Sequence, residues 1–480
     1  MSLKLAKRIS DTIHGSVGLT DLEIRTIDTK VFQRLRNVKQ LGMVDRVFPG
    51  ASYSRFSHAI GTCHVTGRIL DAIESNTGTK LDSKEIQLYR LAGLLHDIGH
   101  YPFSHATEHA ISKHYANNLM NSVSETNRDS TLSHSNGSTY YPHEHVGKEV
   151  LRCDKEISTI IKEFGFSPEE IADIFTRANP LQFANLVSSD LDADRIDYLL
   201  RTARHSGLPY GSVDIDYILS QMTLDNSAQR RVCLTEKAVR AAEHLLLCRY
   251  YDYRQIVFNK TVVGLEWLLK DVIKGLLAEG RLDISPKWVE NAIKNDEWCK
   301  FDDSYIVKVI RDRFAEDSSD LLGFKASAVL DRNPPSMVWE RDIIGQRSPS
   351  DLSKSHNMYQ TILEAQIKDW ADEFGIPRER WYIWNYKMPI TKIGSHVPIE
   401  EPSNENIAGL DDQRAQEIRV RNYDGSSSII VNSNGSLLRI LSDQSLYITR
   451  VYVLLSASNN DMRKEIGDRI ADTMAQSEGE

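Results

Sequence analysis

Long apolar runs are missing from this chain of 480 residues, and no segment approaches the length of a membrane span. The first residues, MSLKLAKRISDTIHG, have no apolar stretch of the signal-peptide kind, so the cytoplasm is the expected location. Cysteine is scarce. The five, Cys63, Cys153, Cys233, Cys248 and Cys299, are odd in number and widely spaced, with no CxxC. That excludes a disulfide framework and a cysteine zinc site and fits reduced thiols. A GxGxxG after a strand and a GxxxxGK[ST] are both absent, which excludes dinucleotide-binding and P-loop readings. Net positive charge is lacking too: the formal charge is -9 and the pI is about 6.0. Charge therefore does not indicate a nucleic-acid coat, and an anionic substrate needs a local basic pocket.

What is present is ordinary globular composition, 41% hydrophobic and 26% charged. The length predicts two or three structural units. From Phe32 to Ile273 the apolar spacing is helical, with Leu88, Leu91, Leu95 and Ile98 on one face and Ala184, Val187 and Leu191 on another. Residues 117–139 are rich in Ser, Asn and Thr and read as a polar loop between His105 and His143, either a lid or a tolerated surface insertion. Residues 286–372 read as a mixed helical connecting region, with Arg347 to His356 a loop. Beyond them, Ser427 to Val431 and Leu437 to Leu441 read as a hairpin, Leu446 to Leu455 as a strand and Asp461 to Met474 as a closing helix. The expected fold is mostly α, with a helical core over 1–285 and a small C-terminal α/β module over 373–480.

Four residues carry the chemistry: His58, the adjacent pair His96 and Asp97, and Asp194. Singly, a histidine on an apolar face is a core residue and a helix aspartate a cap or a solvated group. Together, two imidazoles and two carboxylates form a ligand set for one divalent cation. A buried aspartate is costly alone, and a cation offsets that cost. Near a helix end, both His96 and Asp97 can reach one ion. Asp194 shares a helical face with Asp190, Asp197 and Tyr198. A cation beside further histidines points to hydrolysis of a phosphate ester. The ligand types do not distinguish Mn, Fe, Mg, Zn and Ni.

The stretches DTIHGSVGL, FQRLRNVKQLG, VFPGASYSRFSHAIGT, LAGLLHDIGHYPFSH, HEHVG and DADRIDYLLRTARHSG resemble the HD-domain deoxynucleoside-triphosphate triphosphohydrolases, in order from Lys7 to Ile273. The resemblance implies that His58, His96, Asp97 and Asp194 hold one metal ion and that water attacks the α-phosphorus of a dNTP, giving deoxynucleoside and triphosphate. It implies that His105 and His143 are catalytic histidines with Glu144 as carboxylate partner. His100 would be a further active-site histidine and Arg55 a phosphate contact. Gln40, Arg195, Tyr198, Thr202 and Arg249 match substrate-pocket positions. Lys7, Asp28, Gln33 and Arg36 match a site where a nucleotide activator (GTP or a dNTP) binds between subunits, which implies a homotetramer or homodimer.

Two departures stand out. Thr202 occupies the place of an aspartate that reads the sugar 3′-hydroxyl, and Val257 that of a base-stacking tyrosine. They keep two alternatives open: an HD phosphohydrolase acting on another nucleotide or on single-stranded nucleic acid, and a nucleotide-sensing or nucleic-acid-binding regulator.

Overall fold

The computed structural model describes residues 3–122, 140–176, 183, 186–187, 189, 191–227, 230–346, 351–390, 418–430, 436–441 and 444–478. The protein is mostly α, as expected, with its few long strands toward the C-terminus. The chain opens with an antiparallel hairpin of strands β1 (Leu5–Asp11) and β2 (Gly15–Thr20). A helical core follows.

The Arg55–Thr77 helix is its axis. It packs against the Ser83–Leu95 and Ala193–Ser206 helices, and its inner face includes the fully buried Ala59, Cys63, Val65 and Leu70. Two glycines set close approaches here. A side chain at Gly61 would collide with the carboxylate of Asp197 on the Ala193–Ser206 helix. One at Gly99 would strike the backbone of His143 and Gly147, so Gly99 lets the His143–Cys153 helix settle against the His96–Asp97 turn.

A second core lies in the C-terminal third. Strands β5 (Ser336–Gln346), β6 (Trp381–Pro389) and β9 (Gln444–Val453) form an antiparallel sheet with β9 in the centre. The helices Asp351–Phe374 and Arg463–Glu478 pack on it through Leu363, Ile367, Trp370, Ile466 and Ile470. β9 is buried on both faces, which suits a continuous run such as LYITRVYV. A further sheet has the order β3 (Met222–Leu224), β4 (Val232–Thr235), β7 (Arg419–Arg421), β8 (Ser427–Ile429). It joins a strand pair of the first 285 residues to one beyond residue 373, and β5 comes from the expected connecting region.

Local expectations differ from the structure in three places. The predicted hairpin partner Leu437–Leu441 is a short helix; only the Ser427–Ile429 strand forms, and residues 431–435 lie outside the described residues. Leu, Arg and Ile at 437–441 serve helix and strand equally, and a five-residue run lacks the periodicity to choose. The predicted loop from Arg347 to His356 is helical from Asp351, and residues 347–350 lie outside the described residues; Ser and Asp read as turn formers in a short polar run, yet both are also suited to the start of a helix. The predicted polar loop 117–139 starts late: the helix from His105 continues to Ser122, and residues 123–139 lie outside the described residues, as does Asp190. The strand near 446–455 and the closing helix form as expected. Among the described residues no helix is long and apolar enough to cross a membrane.

Candidate metal centre and active site

His58 lies one turn into the Arg55–Thr77 helix, and His96 and Asp97 sit just past the end of the Ser83–Leu95 helix. Asp194 is in the first turn of the Ala193–Ser206 helix, capped by Asp192 through the backbone N–H of Arg195. The fold brings all four together. His58 Nε2 lies 2.9 Å from Asp194 Oδ1 and 3.8 Å from Asp97 Oδ2. His96 Nε2 lies 3.3 Å from Asp97 Oδ1 and 3.8 Å from Asp194 Oδ1. Ligand atoms of His58, His96 and Asp97 all fall within 4.8 Å of one another.

The hydrogen bonds of the two imidazoles suit metal ligation. His96 Nδ1 faces the Gly93 carbonyl at 2.9 Å and His58 Nδ1 faces Asp197 Oδ2 at 2.7 Å. Both protons are thereby placed on Nδ1, and both Nε2 lone pairs point into the cluster, buried and without a well-formed hydrogen bond. Such a donor set fits a divalent cation. Burial opposes charge on His58, but Asp194 and Asp197 outweigh it and raise it to about 10, so Nε2 carries a proton facing Asp194 wherever a cation does not take that proton's place. Burial likewise opposes the Asp97 carboxylate, and Arg55, His96, His100 and His58 together hold it well below its ordinary range.

A histidine cluster adjoins this centre. His100 Nδ1 is 3.1 Å from Asp97 Oδ1, and the His100 ring lies 3.9 Å from that of His143 and 5.8 Å from that of His105. Burial, with Arg55 and His143 nearby, lowers His100 well below its usual value. The turn into His105 is strained. Phe103 and Ser104 both have left-handed backbones, φ 53° and 54°, held by a 2.7 Å bond from the Phe103 N–H to Asp303 Oδ1.

His143 has a partner that sequence reasoning missed. Its Nδ1 lies 3.0 Å from Glu108 Oε2, whereas the expected partner Glu144 approaches Nε2 at 3.4 Å and is about half exposed. Glu108 Oε2 also lies 3.7 Å from His105 Nδ1. Burial acts against a charged His143, yet Glu108 prevails and raises it above its ordinary value. The signal was the spacing of His105 and Glu108, three apart on one helix.

Arg55 is committed within the protein. Its Nη1 donates to Asp97 Oδ2 at 2.5 Å and its Nη2 to Ser104 Oγ at 2.8 Å. Of the expected pocket residues, Gln40 has a buried Oε1 without a hydrogen-bond partner among the described residues. Tyr198 and Arg249 are buried. Burial pushes the Tyr198 hydroxyl well above its usual value, with Arg249 and Arg195 close enough to pull the other way. Thr202 is fully buried, its hydroxyl 2.7 Å from that of Tyr53. Val257 ends a π-helical turn and packs on the cluster of Tyr253, Phe258, Met388, Leu446 and Ile448.

The expected nucleotide-activator residues are near the surface. Gln33 accepts from Arg36 Nε at 2.7 Å, and Arg36 covers the Phe56 ring. Asp28 and Lys7 are exposed, and among the described residues neither makes a side-chain hydrogen bond or ion pair.

Comparison with known proteins finds a family match over the same part of the chain. The HD-domain family model matches residues 55–201, which contain all four candidate ligands. An uncharacterized protein of Methanocaldococcus jannaschii is 30% identical over 305 residues, 63% of this chain and 57% of that protein. The deoxynucleoside triphosphate triphosphohydrolase SAMHD1 homolog of Dictyostelium discoideum is 28% identical over 412 residues, covering 82% of this chain and 66% of its own. The Xenopus laevis SAMHD1 is 45% identical over 105 residues, 22% of this chain and 17% of that protein. The chain spans less than two thirds of the Methanocaldococcus protein and of an uncharacterized Bacillus subtilis relative, 57% and 55% respectively. The crystal structure of a hypothetical protein from Aquifex aeolicus has the same fold, with a TM-score of 0.66 at 22% identity over 96% of this chain and 99% of that one. A phosphohydrolase from Bacteroides thetaiotaomicron aligns with a TM-score of 0.63 at 20% identity over 92% of this chain and 99% of that one.

Proposed function

Because residues 55–201 form an HD domain, we propose that this protein is a metal-dependent deoxynucleoside triphosphate triphosphohydrolase, converting a dNTP and water to deoxynucleoside and triphosphate. The observation that carries the reading is the adjacency of two units. One is the His58, His96, Asp97, Asp194 cluster, and the other is the His143–Glu108 pair, joined to it through His100.

His58, His96, Asp97 and Asp194 would hold a divalent cation, which would supply positive charge against the phosphoryl oxygens. The remaining work falls to side chains. A nucleoside 5′-oxygen leaves from phosphorus readily only when it gains a proton. His143, whose protonated form Glu108 favours, and His105, beside the same carboxylate, are the candidate donors. Arg55 neutralises Asp97 and fixes its orientation, and it lends positive potential to the same small volume. Arg195 and Arg249 provide the local basic pocket that an overall acidic protein needs for a polyphosphate. Tyr198, buried within the electrostatic reach of both, would close the space beside C2′ and disfavour a ribose.

The same reading assigns Lys7, Asp28, Gln33 and Arg36 to an activating GTP or dNTP in a homodimer or homotetramer. Thr202 favours one second reading, an HD phosphohydrolase with another nucleotide or a single-stranded nucleic acid as substrate, since it brings no carboxylate and its buried hydroxyl is engaged with that of Tyr53. A panel of every dNTP and rNTP with Mn²⁺ or Mg²⁺, with and without GTP, separates these. Release of deoxynucleosides from dNTPs alone supports the proposal. Monophosphate products, or turnover only of oligonucleotides, favour the second reading.

A further inference from the structure

Asp197, His14, Arg201 and Asp11 have no part in the reaction proposed above, yet they form one connected buried chain that ends on His58. A ligating imidazole must present one nitrogen lone pair to the ion, so its proton must be held on the other nitrogen. For His96 the holder is local, the Gly93 carbonyl of its own helix. For His58 it is distant. Asp197 Oδ2 receives His58 Nδ1 at 2.7 Å and Arg201 Nε at 2.8 Å. Its other oxygen, Oδ1, receives Arg201 Nη2 at 2.8 Å and His14 Nε2 at 2.7 Å. Each carboxylate oxygen therefore has two donors, an arrangement that leaves Asp197 little rotational freedom.

His14 is held just as firmly. It lies in the turn between β1 and β2, where the backbone N–H groups of Ile13 and His14 each donate to Asp11 Oδ1 at 2.9 Å. Asp11 Oδ2 accepts from Arg201 Nη1 at 2.8 Å, which closes the circuit. Asp197 and Arg201 are fully buried, and the space for them is left by Gly61 one turn beyond His58.

We propose that Asp197 is a positioning residue for the metal centre, fixing the His58 ring with its proton on Nδ1, and that His14 and Asp11 make the N-terminal hairpin a structural part of that centre. The inference rests on the metal-centre reading. It gives the hairpin a role in the fold's chemistry that neither its exposure nor its strand pairing would suggest.

The test is Mn²⁺ affinity of the full-length protein, read by competition with a chromophoric chelator and so independent of turnover. The variants are Asp197→Asn and His14→Ala. The control is Glu23→Gln, which breaks a buried ion pair with Arg90 that includes none of the four ligands and none of Asp197, His14, Arg201 and Asp11. Thermal unfolding in EDTA reports folding of each. Asp197→Asn is expected to weaken Mn²⁺ binding about 10- to 100-fold. His14→Ala is expected to weaken it by a smaller factor in the same direction. Both should alter the Co²⁺ absorption spectrum. Glu23→Gln should lower the unfolding temperature and leave affinity and spectrum unchanged. Folded Asp197→Asn and His14→Ala proteins with wild-type affinity overturn the proposal. If Asp197→Asn does not fold, His14→Ala and Asp11→Asn decide it by the same criterion. A wild-type protein that binds neither Mn²⁺ nor Co²⁺ overturns the metal-centre reading itself.

Discussion

The carboxylate of Glu108 stands 3.0 Å from Nδ1 of His143 and 3.7 Å from Nδ1 of His105, so one acid serves two histidines from different helices. This fixes His143 by Nδ1 and turns its Nε2 toward the space beside Glu144. It also makes a clear forecast for pH. Glu108 raises His143 above its ordinary 6.5, so the protonated, donor form persists to higher pH and is lost as pH rises through the raised value. Replacing Glu108 by Gln removes the raising charge. The high-pH fall in kcat should then move to lower pH, and kcat near pH 7.5 should drop on the order of 10²-fold. Mn²⁺ affinity should be unchanged. A pH–rate profile of the two proteins checks this.

Arg249 is buried near Tyr198, and the proposed reaction assigns it to the phosphates of the substrate. Arg249→Ala should raise KM for a dNTP about tenfold to a hundredfold, the worth of one or two hydrogen bonds to a charged group. It should not change bound metal. Steady-state kinetics beside metal analysis tests both halves.

Metal removal should be felt by the fold as well as by the reaction. The four ligands come from three separate helical segments, so an ion bound among them stabilises the folded state only. At a hundredfold excess over its dissociation constant the gain is about 2.7 kcal/mol. Differential scanning fluorimetry should show a higher unfolding temperature with Mn²⁺ than with EDTA, and no such gain for His96→Ala/Asp97→Ala.

Glu23 gives a second pH dependence, in an ion pair that includes none of the four ligands. It accepts from Arg90 Nε at 2.7 Å and Nη2 at 2.8 Å and from Gln87 at 2.8 Å, fully buried. Burial works against its charge, but Arg90 prevails and lowers it below the ordinary 4.5. The stability this contributes is complete above 4.5 and is lost as pH falls through the lowered folded value. Glu23→Gln should cost about 3 kcal/mol at pH 7. It should also flatten the acid limb of stability, as measured by urea unfolding between pH 3 and 7.

The helical core was legible because its periodicity is long and its apolar faces are continuous, as in Leu91, Leu94, Leu95 and Ile98. The grouping of His58, His96, Asp97 and Asp194 was legible because the four residue types together, and the motifs around them, suit one shared site, and the fold does bring them side by side. Glu108 was hidden because a glutamate in a polar helical stretch reads as solvated, and only the fold brings it under His143. Asp197 was visible as a face-mate of Asp194, but its partners His58 and His14 are 139 and 183 residues away. Arg36 and Arg34 look alike in sequence. Arg36 is exposed, whereas Arg34 is buried and donates to the carbonyls of Phe301 and His100. The Leu437–Leu441 segment was misread because five residues carry too little pattern to separate helix from strand.

The most direct test of the central claim is product identity. Each dNTP is incubated with the full-length protein and Mn²⁺, beside the His96→Ala/Asp97→Ala variant, and the products are separated by anion-exchange chromatography. The account predicts deoxynucleoside and intact triphosphate in equal amounts, absent in the variant. Deoxynucleoside monophosphate with pyrophosphate, or equal turnover by the variant, would contradict it.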